Sequence, residues 1–197
     1  MAQLKGSKTE QNLMKAFAGE SQARNRYTYY AGVANKEGYR QIEAIFIETA
    51  EQEREHAKVF FKHLVEGLGA NTPIPVGIEA EYPVALGNTA ENLRSAAAGE
   101  REEWSDLYKN FGETAREEGF DAIADSFKHV AEVEMYHEER YNYFAELVEE
   151  GNVFKRDEEV IWRCRNCGYL YEGAEAPRVC PACKHGTAHF EQYVALK

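Results

Sequence analysis

The chain has 197 residues and is acidic, with 34 Asp and Glu against 23 Lys and Arg and a formal charge of −11. That balance argues against nucleic acid or an anionic membrane surface as partners, and the length allows one large domain and one small one. Residues 1–10 are polar, unlike a secretory signal, and no apolar run is long enough to cross a bilayer, so a cytoplasmic protein is expected.

Ser7-Lys8-Thr9-Glu10 has the form of a capping box and predicts a first helix running to about Lys36, where Glu37-Gly38 supplies a left-handed stop. Residues three and four apart share one helix face. On this helix that stripe reads Leu13, Ala16, Glu20, Ala23, Tyr27, Tyr30 and Ala34, so Glu20 is an acid in a core position. A second helix follows a tight turn and ends near Gly67 or Gly69. Its stripe is Ile42, Ile45, Phe46, Thr49, Glu53, His56, Phe60 and Leu64, in which Glu53 and His56 replace core residues.

From Ala70 to Gly87 the pattern breaks at Pro73, Pro75 and Pro83. Eighteen extended residues reach roughly 60 Å, more than the roughly 45 Å of a thirty-residue helix, so this segment reads as a crossover connection. A cap at Asn88 to Glu91 predicts a third helix to about Glu118, with the stripe Leu93, Ala96, Glu100, Glu103, Leu107, Phe111 and Thr114. The fourth runs from about Phe120 to Glu150 and carries Ile123, Phe127, Val130, Glu134, His137, Tyr141, Phe144 and Val148 on one face. The expected domains are a helical bundle, 1–152, and a small C-terminal module, 153–197.

The two halves of the bundle resemble each other. Ala16-Phe17-Ala18-Gly19-Glu20 matches Ala96-Ala97-Ala98-Gly99-Glu100 at an offset of 80, and Glu37-Gly38-Tyr39 matches Glu118-Gly119-Phe120 at 81. Glu51-Gln52-Glu53 with His56 matches Glu132-Val133-Glu134 with His137, also at 81. The repeat implies a pseudo-twofold site to which each half supplies one lone Glu and one Glu-x-x-His.

Burying an ionised carboxylate without a partner costs several kcal/mol, and the stripes that hold the two Glu-x-x-His phrases contain no Lys or Arg. Any one of these residues alone reads as hydrogen-bonded core. Together, Glu20, Glu53, His56, Glu100, Glu103, Glu134 and His137 on four apolar stripes match the inward-facing pattern of ferritin-like proteins that hold two iron or manganese ions. Glu103 exceeds what that pattern requires, and is either a seventh ligand competing with His56 or an acid at the pocket mouth. Tyr27 and Tyr108 lie one or two turns from the ligands, either as core tyrosines or as donors to a ligand carboxylate.

All four cysteines lie in two pairs, Cys164-x-x-Cys167 and Cys180-x-x-Cys183, twelve residues apart. The spacing fits a tetrahedral four-thiolate site that staples a module too small to fold on core burial alone, under an expected aromatic cover of Trp162, Tyr169 and Tyr171. Thiolate chemistry leaves zinc and iron both open there.

These motifs resemble the rubrerythrin family over essentially the whole chain. The resemblance rests on Gly19-Glu20-Ser21-Gln22-Ala23-Arg24-Asn25-Arg26-Tyr27, Glu53 to His56, Gly99 to Glu103, Glu134 to His137, Cys164-x-x-Cys167-Gly168-Tyr169 and Cys180-Pro181-x-Cys183. It implies an all-α ferritin-like four-helix bundle with a long crossover, followed by a small rubredoxin-like metal-ribbon domain. It also implies two non-haem irons in the bundle, one iron in the four-cysteine site, and a non-haem peroxidase that reduces hydrogen peroxide to water. His56 and Glu103 match the positions between which iron shifts with oxidation state; Tyr27 and Tyr108 complete the expected catalytic set. Lys184 departs from the glycine usual in free rubredoxins.

Electrons are expected from a separate donor, a rubredoxin or an NAD(P)H-linked reductase, since the chain carries no dinucleotide-binding fingerprint. Helix rise from Glu134 to Glu150 alone is about 24 Å, so a head-to-tail homodimer or higher oligomer is expected to bring the thiolate iron near a partner's site. The alternatives are a ferritin-like iron oxidation and storage protein, and a metal sensor whose tail holds zinc.

Overall fold

The structure is a computed structural model and describes residues 3–194. Helix α1 (Lys8–Glu37) starts where Ser7 Oγ accepts the Glu10 amide at 3.0 Å. The other half of the expected capping box is displaced: the Leu4 carbonyl takes the Ser7 amide, and the Glu10 carboxylate accepts from Gly6 instead. Glu118, distant in sequence, closes the same end by accepting the amides of Lys8 and Thr9. At the other end Gly38, with φ of +88°, lets the Tyr39 amide reach the Ala34 carbonyl at 2.8 Å. Only two residues separate α1 from α2 (Arg40–Leu68), so the pair is antiparallel.

Residues 70–87 form neither helix nor strand. They run along α1: Tyr82 donates to the Lys15 carbonyl at 2.9 Å, and Tyr30 of α1 donates to the Ala85 carbonyl at 3.0 Å. The Thr89 amide then meets the Glu37 carboxylate at 3.0 Å, so α3 (Thr89–Glu102) starts beside the end of α1 and runs parallel to α2. This is the crossover the proline-rich segment predicts, and a complete capping box between Asn88 and Glu91 opens α3.

The expected single third helix is interrupted. A π-helical turn, Glu103–Leu107, precedes α4 (Tyr108–Glu117), and the Tyr108 amide bonds the Glu103 carbonyl five residues back. A π turn adds one residue without adding a turn, so every later side chain moves one position along the face. The predicted stripe of Leu107, Phe111 and Thr114 is therefore corrected to Tyr108, Gly112 and Ala115, all buried. Helix α5 (Asp121–Glu149) follows a further glycine stop at Gly119.

The apolar core is in two parts. One end of the bundle packs Tyr27, Tyr30, Ile42, Phe46, Leu93 and Tyr141, and the other packs Leu13, Phe60, Leu64, Tyr108, Ile123 and Phe127. The acids and imidazoles of the four stripes lie between them.

After Gly151 the chain forms a three-stranded antiparallel sheet of order β2-β1-β3, from β1 (Lys155–Cys164), β2 (Leu170–Glu175) and β3 (Phe190–Gln192). Its core is Trp162 and Phe190 against Cys164, Cys180 and Phe154. The expected aromatic cover is only partly right. Trp162 is fully buried, but Tyr169 and Tyr171 stay 36% and 40% exposed, as does Leu170 between them at 48%. The module meets the bundle at the α1–α2 turn, where the Tyr39 and Phe154 rings stack with centroids 6.1 Å apart. Among the described residues no helix is long and apolar enough to cross a membrane.

Candidate metal centres

Two quartets of donor atoms form in the polar layer of the bundle. Glu20, Glu53, His56 and Glu134 make one; Glu53, Glu100, Glu134 and His137 make the other, each with its atoms within 4.8 Å of one another. The repeat converts one quartet into the other, exchanging Glu20 for Glu100, Glu53 for Glu134 and His56 for His137. Glu53 and Glu134 belong to both, the position of carboxylates that bridge two cations.

The donor atoms are orphaned in a way that cations explain. Glu20 Oε2, Glu53 Oε1, Glu100 Oε2, both oxygens of Glu134 and His137 Nδ1 are buried without a hydrogen-bond partner. His137 Nδ1 lies 2.7 Å from Glu134 Oε2 and 3.3 Å from Glu53 Oε1, close in distance but without hydrogen-bond alignment. Four acids almost wholly removed from water would otherwise cost several kcal/mol each, so the layer fits two oxygen- and nitrogen-ligated metal ions.

Electrostatics agree. Burial first, then the neighbouring acids, push the Glu20 and Glu100 carboxyls well above the usual range. Burial opposes charge on the imidazoles too, but Glu134 and Glu53 outweigh it and raise His56 to about 10 and His137 to about 9. Glu53, also penalised by burial, is drawn down to about 2 by His137 and His56. Without cations, protons take their place.

The remaining oxygens are held from behind. Tyr27 donates to Glu100 Oε1 at 2.6 Å, and Tyr108 donates to Glu20 Oε1, so each tyrosine leaves one bare oxygen facing the centre. His137 Nε2 donates to Gln52 Oε1 at 2.9 Å, which leaves Nδ1 as the lone-pair nitrogen. Gln52 was not singled out by helical phase, since it adjoins the core stripe rather than lying in it. Glu103 opens the π turn, half-buried, outside both quartets. It borders a pocket of about 310 Å³ with Gly19, Arg26, Tyr82, Gly99 and Tyr108. A larger groove between α4 and α5, about 690 Å³, holds none of the quartet residues.

In the C-terminal sheet Cys164, Cys167, Cys180 and Cys183 form one cluster of free cysteines, with Cys164–Cys183 and Cys167–Cys180 Sγ pairs both 3.7 Å apart. A tetrahedron with metal–sulfur bonds of about 2.3 Å has edges of about 3.8 Å, so the sulfurs already have the right spacing. Two matching turns present them. The Gly168 amide bonds the Cys164 carbonyl at 2.8 Å, and the Lys184 amide bonds the Cys180 carbonyl at 2.9 Å. Both turns need a left-handed residue, and Lys184 takes φ of +65° where the first turn has glycine at +80°.

Comparisons with known proteins cover both parts. The family profile described as Rubrerythrin matches residues 11–145, and that of the rubrerythrin rubredoxin-like domain matches 162–191. Rubrerythrin of Porphyromonas gingivalis is 57% identical over 189 residues, 95% of this chain and 91% of that protein. Rubrerythrin-1 of Clostridium acetobutylicum is 56% identical over 191 residues, 97% of each chain. Among solved structures, nigerythrin in a partially reduced state superposes with a TM-score of 0.62 at 31% identity, covering 96% of this chain and 90% of that one. A bundle with a duplicated carboxylate–histidine layer, joined to a four-cysteine sheet and matched at this level from end to end, belongs to the rubrerythrin family.

Proposed function

We propose that this protein reduces hydrogen peroxide to water at the two-metal centre of the bundle and recovers its electrons singly through the four-cysteine centre. Family membership supplies the frame: a di-iron protein of oxidative stress defence with a rubredoxin-like four-cysteine site. The observation that carries the reading is the pair of quartets sharing Glu53 and Glu134, with their buried donor atoms unpartnered. Two ferrous ions held there would supply the two electrons of H2O2 + 2e− + 2H+ → 2H2O.

The residues have separate tasks in this reading. Glu53 and Glu134, shared by both quartets, would hold both metals, with Glu20 and His56 completing one site and Glu100 and His137 the other. Tyr27 and Tyr108 fix the outer oxygens of Glu100 and Glu20 and keep a hydroxyl proton beside each. Glu103, at the start of the π turn, would be available as an anionic ligand in place of the neutral His56, and would offset part of the positive charge added when held metal is oxidised. Cys164, Cys167, Cys180 and Cys183 hold the relay iron, and residues 1–152 and 153–197 act as catalytic and electron-supplying domains. The donor is a separate protein, a rubredoxin or an NAD(P)H-linked reductase.

Stopped-flow mixing of the fully reduced protein with hydrogen peroxide and with oxygen tests the reading. Oxidation by peroxide at least tenfold faster than by oxygen, with both centres oxidised in turn, is expected. Preference for oxygen, with ferric mineral accumulating, would instead establish iron oxidation and storage.

A further inference from the structure

Outside the two metal centres, the described residues of the four-cysteine module bury a single acid, Glu191 of β3, at 5% exposure. Its partners are two arginines that bracket a cysteine in sequence. Arg163 pairs with Glu191 in register across the sheet and donates Nε to its Oε1 at 2.9 Å, with Nη2 on the same oxygen, while Arg165 Nη1 donates to Oε2. Alternate residues of an extended chain face opposite sides, so both guanidiniums lie outward and Cys164 between them is buried in the sulfur cluster. The Arg165 amide also bonds the His189 carbonyl at 2.7 Å, which ties the first cysteine turn to the approach of β3. All these bonds lie within one chain and hold wherever a second copy sits.

Charge decides what such a clamp does. Four thiolates leave the centre anionic with ferric iron and more so, by one charge, with ferrous iron, so positive charge nearby favours the reduced form. Two guanidiniums against one carboxylate leave one positive charge beside Cys164, and neither Cys-x-x-Cys turn contains an acid of its own. We propose that Glu191 sets the reduction potential of this iron, by fixing Arg163 and Arg165 on the Cys164 side of the cluster and cancelling one of their two charges. Glu191 bonds no sulfur and is a positioning residue, acting through the arginines. Both guanidinium side chains are partly exposed, 46% and 31%, so solvent screening keeps the effect modest. The inference deepens the relay role proposed above and rests on iron occupying the four-cysteine site.

The test is the midpoint potential of the four-cysteine iron in the full-length, iron-loaded protein, titrated electrochemically and followed by its visible absorption. Glu191→Gln keeps the shape and one acceptor oxygen but removes a negative charge, and should favour reduction at least about threefold, a rise of about 30 mV. Arg165→Gln removes a positive charge and should lower the potential by a similar amount. The double variant restores the wild-type charge and should return to within about 10 mV of the wild type. Opposite signs are the mark of charge, whereas a loosened or wetter cysteine turn would move both single variants the same way. Arg165→Lys keeps the charge and should stay near the wild type; if Glu191→Gln does not fold, the contrast between Arg165→Lys and Arg165→Gln decides. Shifts of the same sign in Glu191→Gln and Arg165→Gln, or equal shifts in Arg165→Lys and Arg165→Gln, overturn the proposal. No peroxide enters the measurement, so a protein that shows opposite shifts but prefers oxygen would defeat the peroxidase reading and leave this one standing.

Discussion

Tyr27 and Tyr108 each bind one oxygen of a buried glutamate and leave the other facing the centre, so removing either hydroxyl frees a ligand to rotate. Tyr27→Phe or Tyr108→Phe should lower affinity for the metal of that glutamate about 10–100-fold, measured by competition with a chelator of known affinity. Protons and cations compete for the same sites. The metal-free protein holds protons on His56 and His137 until about pH 10 and 9, against a usual imidazole value of 6.5. Because folding raises these values, their stabilisation of the metal-free bundle is fully present below about pH 6.5 and is lost as pH rises through 9 and 10. Denaturant midpoints of the metal-free protein should therefore fall above pH 9, and iron loading at pH 7 should release protons, measurable in a weakly buffered solution. In the sheet, Lys184 bears the left-handed strain that Gly168 avoids, partly offset by its Nζ donating to the Pro181 carbonyl at 2.8 Å. Lys184→Val should cost the metal-loaded module about 1–2 kcal/mol in chemical denaturation, whereas Lys184→Gly should leave it as stable or slightly more so.

At the scale of elements, the π turn is what makes the two halves unequal. The repeat offset is 80 at Glu20 and Glu100 but 81 at Gly38 and Gly119, so one residue has been added in between, and the structure locates it at Glu103–Leu107. Its consequence is concrete. At an offset of 80 the counterpart of Tyr27 would be Leu107; the added residue makes it Tyr108, which reaches Glu20 just as Tyr27 reaches Glu100. Deleting the exposed Asp106 should restore a regular helix in which Tyr108 follows Glu100 by seven residues, the spacing of Tyr27 from Glu20, and so keep α4 in phase with Tyr108 still on Glu20. Metal analysis is expected to show both quartets still loaded, and thermal unfolding an unchanged or higher midpoint, because Tyr108, Gly112 and Ala115 stay in the core together. Sequence periodicity recorded the insertion as a change of offset, yet a strict period of about 3.6 residues carried through the segment predicted the wrong face beyond it.

For the whole molecule the question is how electrons travel. The four-cysteine sheet packs against the α1–α2 turn, and from Arg40 to Glu53 helix α2 advances about 20 Å, which separates the sheet contact from the metal layer of its own chain. A second copy arranged head to tail would shorten that path. Sedimentation equilibrium of the reduced protein is expected to give a dimer or larger assembly, and a monomer with full peroxidase turnover would remove this route.

The helical bundle, the crossover, the stapled module and the acids and imidazoles planted among core residues were all determined by the sequence itself. Each follows from local rules, namely helical period, capping, proline placement and cysteine spacing. Contacts between segments far apart in sequence were decided only by the tertiary structure. Local period cannot say that Glu118 would cap α1, that Gln52 on one helix would hold His137 on another, or that Glu53 and Glu134 would belong to both quartets. Those depend on how four helices settle against one another, and a single inserted residue is enough to change which side chains meet.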